Sequence, residues 1–201
     1  MTALDASSAV GTLLDAETFA VLNAIHLKRM ASSAQLASLL DREESTIDAC
    51  CARAAQAAYV MTTSAGHLLL PDGTEAVQAH YREHYAPVRR DARMAPWYAR
   101  FETLNTRFIA QLSAWQRDNS DENALYKALE TVEQLIKALS ALCPLVPRYA
   151  DYQRRFSAAI DAIESGDTDL LCNPRRDSAH NIWFEFHEDI LGVLARPRDT
   201  T

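Results

Sequence analysis

Apolar side chains recur along most of the chain at intervals of three and four, with one short interruption. Between Asp15 and about Met30 they are Phe19, Leu22, Ile25 and Leu27, a spacing that predicts an amphipathic helix. Asp15 stands where a short acceptor satisfies the free amides of a first turn. Ser32–Leu40 repeats the pattern, with Leu36, Leu39 and Leu40 inward and Ser32 or Ser33 as cap. After the polar break Asp41-Arg42-Glu43-Glu44, a third helix is predicted from Ser45 to about Ala57, with Ile47, Cys51 and Ala54 one turn apart. Two short apolar runs then interrupt the helical spacing. Tyr59–Thr62 and His67–Leu70 flank Thr63-Ser64-Ala65-Gly66, which reads as a β-hairpin with a glycine at its turn. Pro71-Asp72-Gly73 opens a further helix over Thr74–Tyr85.

Beyond residue 92 only the helical period remains. Pro87 ends or kinks a linker helix, and Pro96 suits the first turn of the next. The stripes are Trp97, Phe101, Leu104, Phe108, Leu112 and Trp115; then Leu125, Leu129, Val132, Ile136 and Leu139; then Tyr149, Tyr152, Phe156, Ile160 and Ile163. A last helix carries Ile182, Trp183, Phe184, Phe186, Ile190, Leu191 and Leu194. Breaks fall at Asp118–Glu122, Pro144–Pro147 and Gly166–Asp167. Four amphipathic helices with short links predict an antiparallel bundle over 93–196, following an N-terminal unit over 12–92.

Helix, helix, turn, helix, hairpin, helix is the order of a winged helix-turn-helix. Residues 17–85 resemble the DNA-binding region of the MarR family of bacterial regulators. The matching residues are Gln35-Leu36-Ala37 with Leu40, Ser45-Thr46-Ile47, Tyr59-Val60 entering the hairpin, and Leu69-Leu70-Pro71-Asp72-Gly73 leaving it. The chain departs from the family where Ala58 replaces a glycine before the hairpin. It departs again where Thr62 and His67 stand in place of arginines on the first strand and near the wing tip. The resemblance implies a mostly α protein with a small β-hairpin, acting as a homodimeric transcriptional regulator that reads two half-sites of double-stranded DNA. Ser45, Thr46 and Arg53 would approach base edges or phosphates, with Arg42 on the preceding turn, His67 in the wing, and Arg89 and Arg90 on the backbone. The bundle would dimerise or hold an effector, shifting the spacing of the two recognition helices.

Charge changes that picture. The net charge of the 201 residues is −7. Residues 1–80 carry four basic side chains against nine acidic ones, residues 81–100 five against two, and the remainder eleven against sixteen. A face that displaces counterions from phosphates needs clustered cations, and only Arg89, Arg90, Arg93 and Arg100 offer a cluster in sequence. The third helix instead begins Glu43-Glu44 and carries Asp48. Carboxylates can accept from cytosine but repel the flanking phosphates. A second reading follows, of another class: a winged helix stripped of its cations, serving as a protein-interaction module.

Other chemistry is sparse. His80-Tyr81-Arg82-Glu83-His84 spells the H-x-x-E-H of inverzincin peptidases, but directly after a hairpin in a chain of this size it reads as a linker helix with surface histidines. Asp177, His180, Trp183 and His187 share one segment of the last helix and are the candidate effector-binding residues; the simpler reading packs them in the core. Cys50 and Cys51 invite a redox-sensing role, yet adjacent helical cysteines point about 100° apart and lack a neighbouring cation, so small core residues are expected. The four cysteines show neither metal-ligand spacing nor a disulfide framework. No nucleotide-binding glycine loop and no G-x-S-x-G is present, so neither an enzyme nor a bound metal or cofactor is expected. The start lacks the form of a secretory signal, and no apolar run approaches the roughly 18 residues of a span. A cytoplasmic protein with reduced thiols, away from membranes, is the expectation.

Overall fold

The computed structural model describes residues 14–197. Helix α1 (Ala16–Lys28) starts on the Asp15 carboxylate, which accepts from the Thr18 amide, and stops where Arg29 adopts a positive φ. Helix α2 (Ser33–Leu40) opens on a capping box in which Ser32 and Gln35 satisfy each other's backbone amides. Helix α3 (Glu44–Gln56) ends with the Tyr59 amide bonded to the Ala54 carbonyl and the Ala58 amide to that of Ala55. Ala58 sits at φ +57°, the left-handed position such a cap normally gives to glycine.

Strands β1 (Val60–Thr63) and β2 (Gly66–Leu69) pair antiparallel, Val60 opposite Leu69 and Thr62 opposite His67. Ala31 exchanges both backbone hydrogen bonds with His67, tying the α1–α2 connection to the hairpin. A Cβ on Gly66 would lie 2.7 Å from the Ala31 carbonyl oxygen, so this approach requires glycine. Helix α4 (Pro71–His84) begins three residues earlier than the sequence pattern predicts. Proline as the first helical residue has no amide left to satisfy, and Gly73 lets the first turn press on the Tyr59 carbonyl.

Short helix α5 (Ala86–Arg89) leads to α6 (Met94–Arg117), α7 (Glu122–Leu139), α8 (Tyr149–Glu164), a 3₁₀ turn (Thr168–Leu171) and α9 (Ala179–Leu194). The 3₁₀ turn has no apolar period long enough to announce it. Helices α6 and α7 run antiparallel, cross-linked by Thr131 to Gln111, Arg107 to Gln134, and the Trp97 indole to the Ala138 carbonyl. Helix α8 packs on α7 and α9 on α8. The protein is thus mostly helical, with one small two-stranded antiparallel sheet.

The apolar core does not stop at residue 92. Helix α9 packs against α1, α4 and α5 as well as α8, and α2 touches α8. Phe19, Leu22, Leu36 and Ile47 belong to the same buried body as Phe101, Phe108, Phe156 and Phe186. No helix of the described residues is long and apolar enough to cross a membrane.

Candidate functional site

The outward face of α3 is built by default. Ile47, Cys50, Cys51 and Ala54 point into the core, which leaves Glu44, Ser45, Asp48, Ala49, Ala52, Ala55 and Gln56 to solvent. Arg42, Thr46 and Arg53 are exposed beside them. The three alanines make this surface shallow, and Glu43, Glu44 and Asp48 make one end of it acidic. The hairpin adds Met61, Thr62, Thr63, Ser64 and Ala65, exposed and without a cation.

His67 is not at the wing tip but turned inward, 7% exposed. Its Nε2 lies 2.9 Å from Ser33 Oγ and its Nδ1 3.0 Å from Thr62 Oγ1. Ser33 donates its only hydroxyl proton to Asp48, at 2.5 Å, so Nε2 must be the donor to Ser33, and in the neutral imidazole Nδ1 then accepts from Thr62. The relay Asp48–Ser33–His67–Thr62 locks α3, α2 and the hairpin together. Arg89 is also engaged internally: its guanidinium donates to the carbonyls of Tyr81, Arg82 and Val193, closing the ends of α4 and α9. Arg90 and Arg100 are exposed, and Arg93 pairs with neighbouring Asp91.

The effector candidates diverge. Trp183 is buried, stacked on Phe108 with centroids 4.2 Å apart, and its indole donates to Asn105. His187 meets the Phe101 ring edge-on, and His180 is half-buried with its pKa lowered by burial. Asp177 faces away from this aromatic cluster into an alternating ion network, Asp177–Arg155–Glu185–Lys28. Burial works against the Asp177 charge, but Arg155 and Lys28 hold the carboxyl below its ordinary range.

The H-x-x-E-H segment does not assemble. His80 is buried and stacked between Phe19 and His84, whereas Glu83 is exposed on another face. Burial first, then the charges of His84 and Arg148, push the His80 pKa down to about 4. Among the described residues, no group of three or more His, Cys, Asp or Glu is placed to hold a metal ion. Cys50 and Cys51 are each 1% exposed, and burial raises both thiol pKa values, that of Cys51 to about 11.

The densest polar site lies where the sequence pattern points to core. Asp189, 1% exposed on α9, accepts from Asn23 of α1, from Tyr149 and Tyr152 of α8, and twice from Arg148. Arg148 also donates to the Tyr85 hydroxyl, and its guanidinium lies 4.8–5.7 Å from the ring centres of Phe19, Tyr81, Tyr85 and Tyr149. Burial would discharge this arginine, but the Asp189 carboxylate keeps its pKa well above the ordinary value. Burial, with the Asp189 charge behind it, keeps Tyr81, Tyr149 and Tyr152 protonated as donors. One sequence signal marks this junction: Asp189 falls on the inward stripe Ile182–Phe186–Val193 of α9, where a charge demands a partner.

Scans against models of protein families, curated proteins and solved structures find no match for the chain.

Proposed function

We propose that this is a winged-helix protein whose third helix and hairpin dock on a basic surface of another protein rather than on DNA. The state of its cations carries this reading. His67 and Arg89, two of the positions from which a winged helix would contact phosphates, hold the protein's own groups. Glu43, Glu44 and Asp48 surround the exposed start of α3, where a DNA backbone would meet them. A shallow alanine face with an acidic rim suits close contact with lysines or arginines of a partner.

Two measurements test it together. Mixed-sequence duplexes, followed by fluorescence anisotropy at about 50 mM salt, are expected to show no salt-steep binding. A photo-crosslinker at Ala52 is expected to give one discrete protein adduct in the source cells, lost with Glu43→Lys and Glu44→Lys together and absent from a crosslinker at Ala110 on α6. Tight binding to one duplex would overturn the proposal in favour of the regulator. The element order and the exposure of Arg42, Ser45, Thr46, Arg53 and Arg90 support that second reading. In that case Arg42→Ala with Arg53→Ala would flatten the salt dependence by about two units of slope.

A further inference from the structure

A groove of about 700 Å³ runs between α2 and the segment that precedes α9. Its walls are Lys28, Ala34, Gln35, Ser38 and Leu39 on one side and Pro174–Asp177 with Asn181 on the other. That volume falls in the range of small-molecule sites, roughly 300–1,000 Å³. Lys28, Arg175 and Arg176 line it with Asp177, and Glu185 and Asp167 pair with two of these cations from outside the lining.

The backbone of the cationic wall is hydrogen-bonded to Asn181. The Asn181 side-chain amide donates to the carbonyls of Asn173, Pro174 and Arg176 at 3.3, 3.2 and 2.7 Å. The Asn173 side-chain oxygen accepts from the Arg175 amide at 3.0 Å. These bonds tie the backbone of Asn173–Arg176 to the first turn of α9. Lys28 is held by Glu185 at 2.5 Å and Arg176 by Asp167 at 2.7 Å. Among the described residues, nothing pairs with the Arg175 guanidinium. Across the groove the Ser38 hydroxyl and the Gln35 amide nitrogen are further donors, since Gln35 uses its oxygen to cap α2. The wall therefore offers donors in excess of acceptors.

We propose that this groove binds a small organic anion bearing phosphoryl or carboxylate oxygens, with Arg175 as its principal ligand. The planar fork of the guanidinium matches two such oxygens at once. Lys28 and Arg176 are already ion-paired, so Arg175 carries the binding, and Asn181 is a positioning residue. A bound anion would bridge α2 to the α8–α9 connection, joining the face of the molecule that carries α3 to the helices behind it. The inference stands whether α3 meets protein or DNA.

Backbone and arginine side-chain NMR shifts of the full chain, titrated separately with inorganic phosphate and with citrate, test it. Saturable shifts are expected at Arg175, Gln35, Ser38 and Asn181, with the tighter probe distinguishing a phosphoryl from a carboxylate ligand. Arg175→Ala should weaken that binding about tenfold or more without changing the fold, since the side chain is exposed. Arg175→Lys should restore only part, because an ammonium cannot grip two oxygens in one plane. Arg100→Ala, at an exposed cation on α6, should leave it unchanged. Shifts spread evenly over surface cations, binding that survives Arg175→Ala, or no saturable shift with either probe would each overturn the proposal.

Discussion

Residues 81–100 hold five arginines and residues 148–155 hold three, and the two stretches treat them differently. In the first, Arg90 and Arg100 face solvent, Arg82 pairs with Glu75 of its own helix, Arg93 pairs two residues away, and only Arg89 reaches across the fold. In the second, Arg148 closes the buried junction at Asp189, Arg154 donates to the Ser38 and Leu39 carbonyls at the end of α2, and Arg155 joins Asp177 to Glu185. Clustering in sequence says little about where a cation acts. What decides is whether a remote helix offers acceptors without partners of their own, the carboxylates of Glu185 and Asp189 on α9 or the last carbonyls of α2 and α9.

The sharpest way to break this contrast is Arg148→Ala. It leaves Asp189 charged, buried and short of its strongest donor, which costs about 3–5 kcal/mol of stability by chemical denaturation. Adding Asp189→Asn should recover part of the loss, because it removes the stranded charge while keeping an acceptor for Tyr149 and Tyr152. A loss no larger than that of an ordinary surface arginine would put Arg148 in the same class as Arg90.

His80 sharpens the same junction from its other side, since Arg148 adds to the burial that keeps this imidazole neutral. With a folded pKa of about 4 against an ordinary value near 6.5, the unfolded chain binds the proton first as pH falls. Stability is complete above about pH 6.5 and declines toward pH 4, by about 2–3 kcal/mol from this residue. His80→Phe, which keeps the stack on Phe19, should flatten that part of the pH profile. An unchanged slope between pH 6.5 and 4 would exclude His80 as its source.

Arg89 is the exception within the linker, and Arg89→Ala should cost about 1–2 kcal/mol through three lost carbonyl contacts. If the variant instead kept its stability and changed only association with nucleic acid, Arg89 would act outward, and the contrast would fail at that residue.

How far the sequence reached follows from what each signal measures. Periodicity and caps placed every long helix and the hairpin, because Asp15, Ser32 and the stripes of α6–α9 are local features. It misplaced the start of α4, where Pro71 is itself helical, and passed over the 3₁₀ turn. The site was much less legible. Trp183 and His67 looked available because polar atoms in a sequence carry no mark of their partners, which came from Asn105 and Ser33. Arg148 and Asn23 drew no notice, since their roles depend on contacts across the chain. One departure did carry information: Ala58 stands where a glycine is expected, and the backbone there is left-handed. Ala58→Gly should therefore raise stability by about 0.5–1 kcal/mol, a small gain read from the thermal midpoint. A loss would mean that the entropy of the unfolded glycine outweighs the relieved strain.

The smallest effect belongs to Arg93, whose partner is a near neighbour in sequence. It donates to Asp91 through Nε at 2.9 Å and Nη2 at 2.7 Å, and these bonds, with one from its amide, hold the Asp91 carboxyl down at about 2. A shift of that size would ordinarily report stability. Here both partners lie at the surface, only one residue separates them, and the unfolded chain can form the same contact. Arg93→Ala should return the Asp91 titration toward its ordinary midpoint of 3.8, followed by carboxyl NMR, while the denaturation midpoint stays where it was. A measurable loss of stability would show that the pair exists only in the folded protein, and that local bonding in 81–100 supports the fold as the remote pairs of 148–155 do.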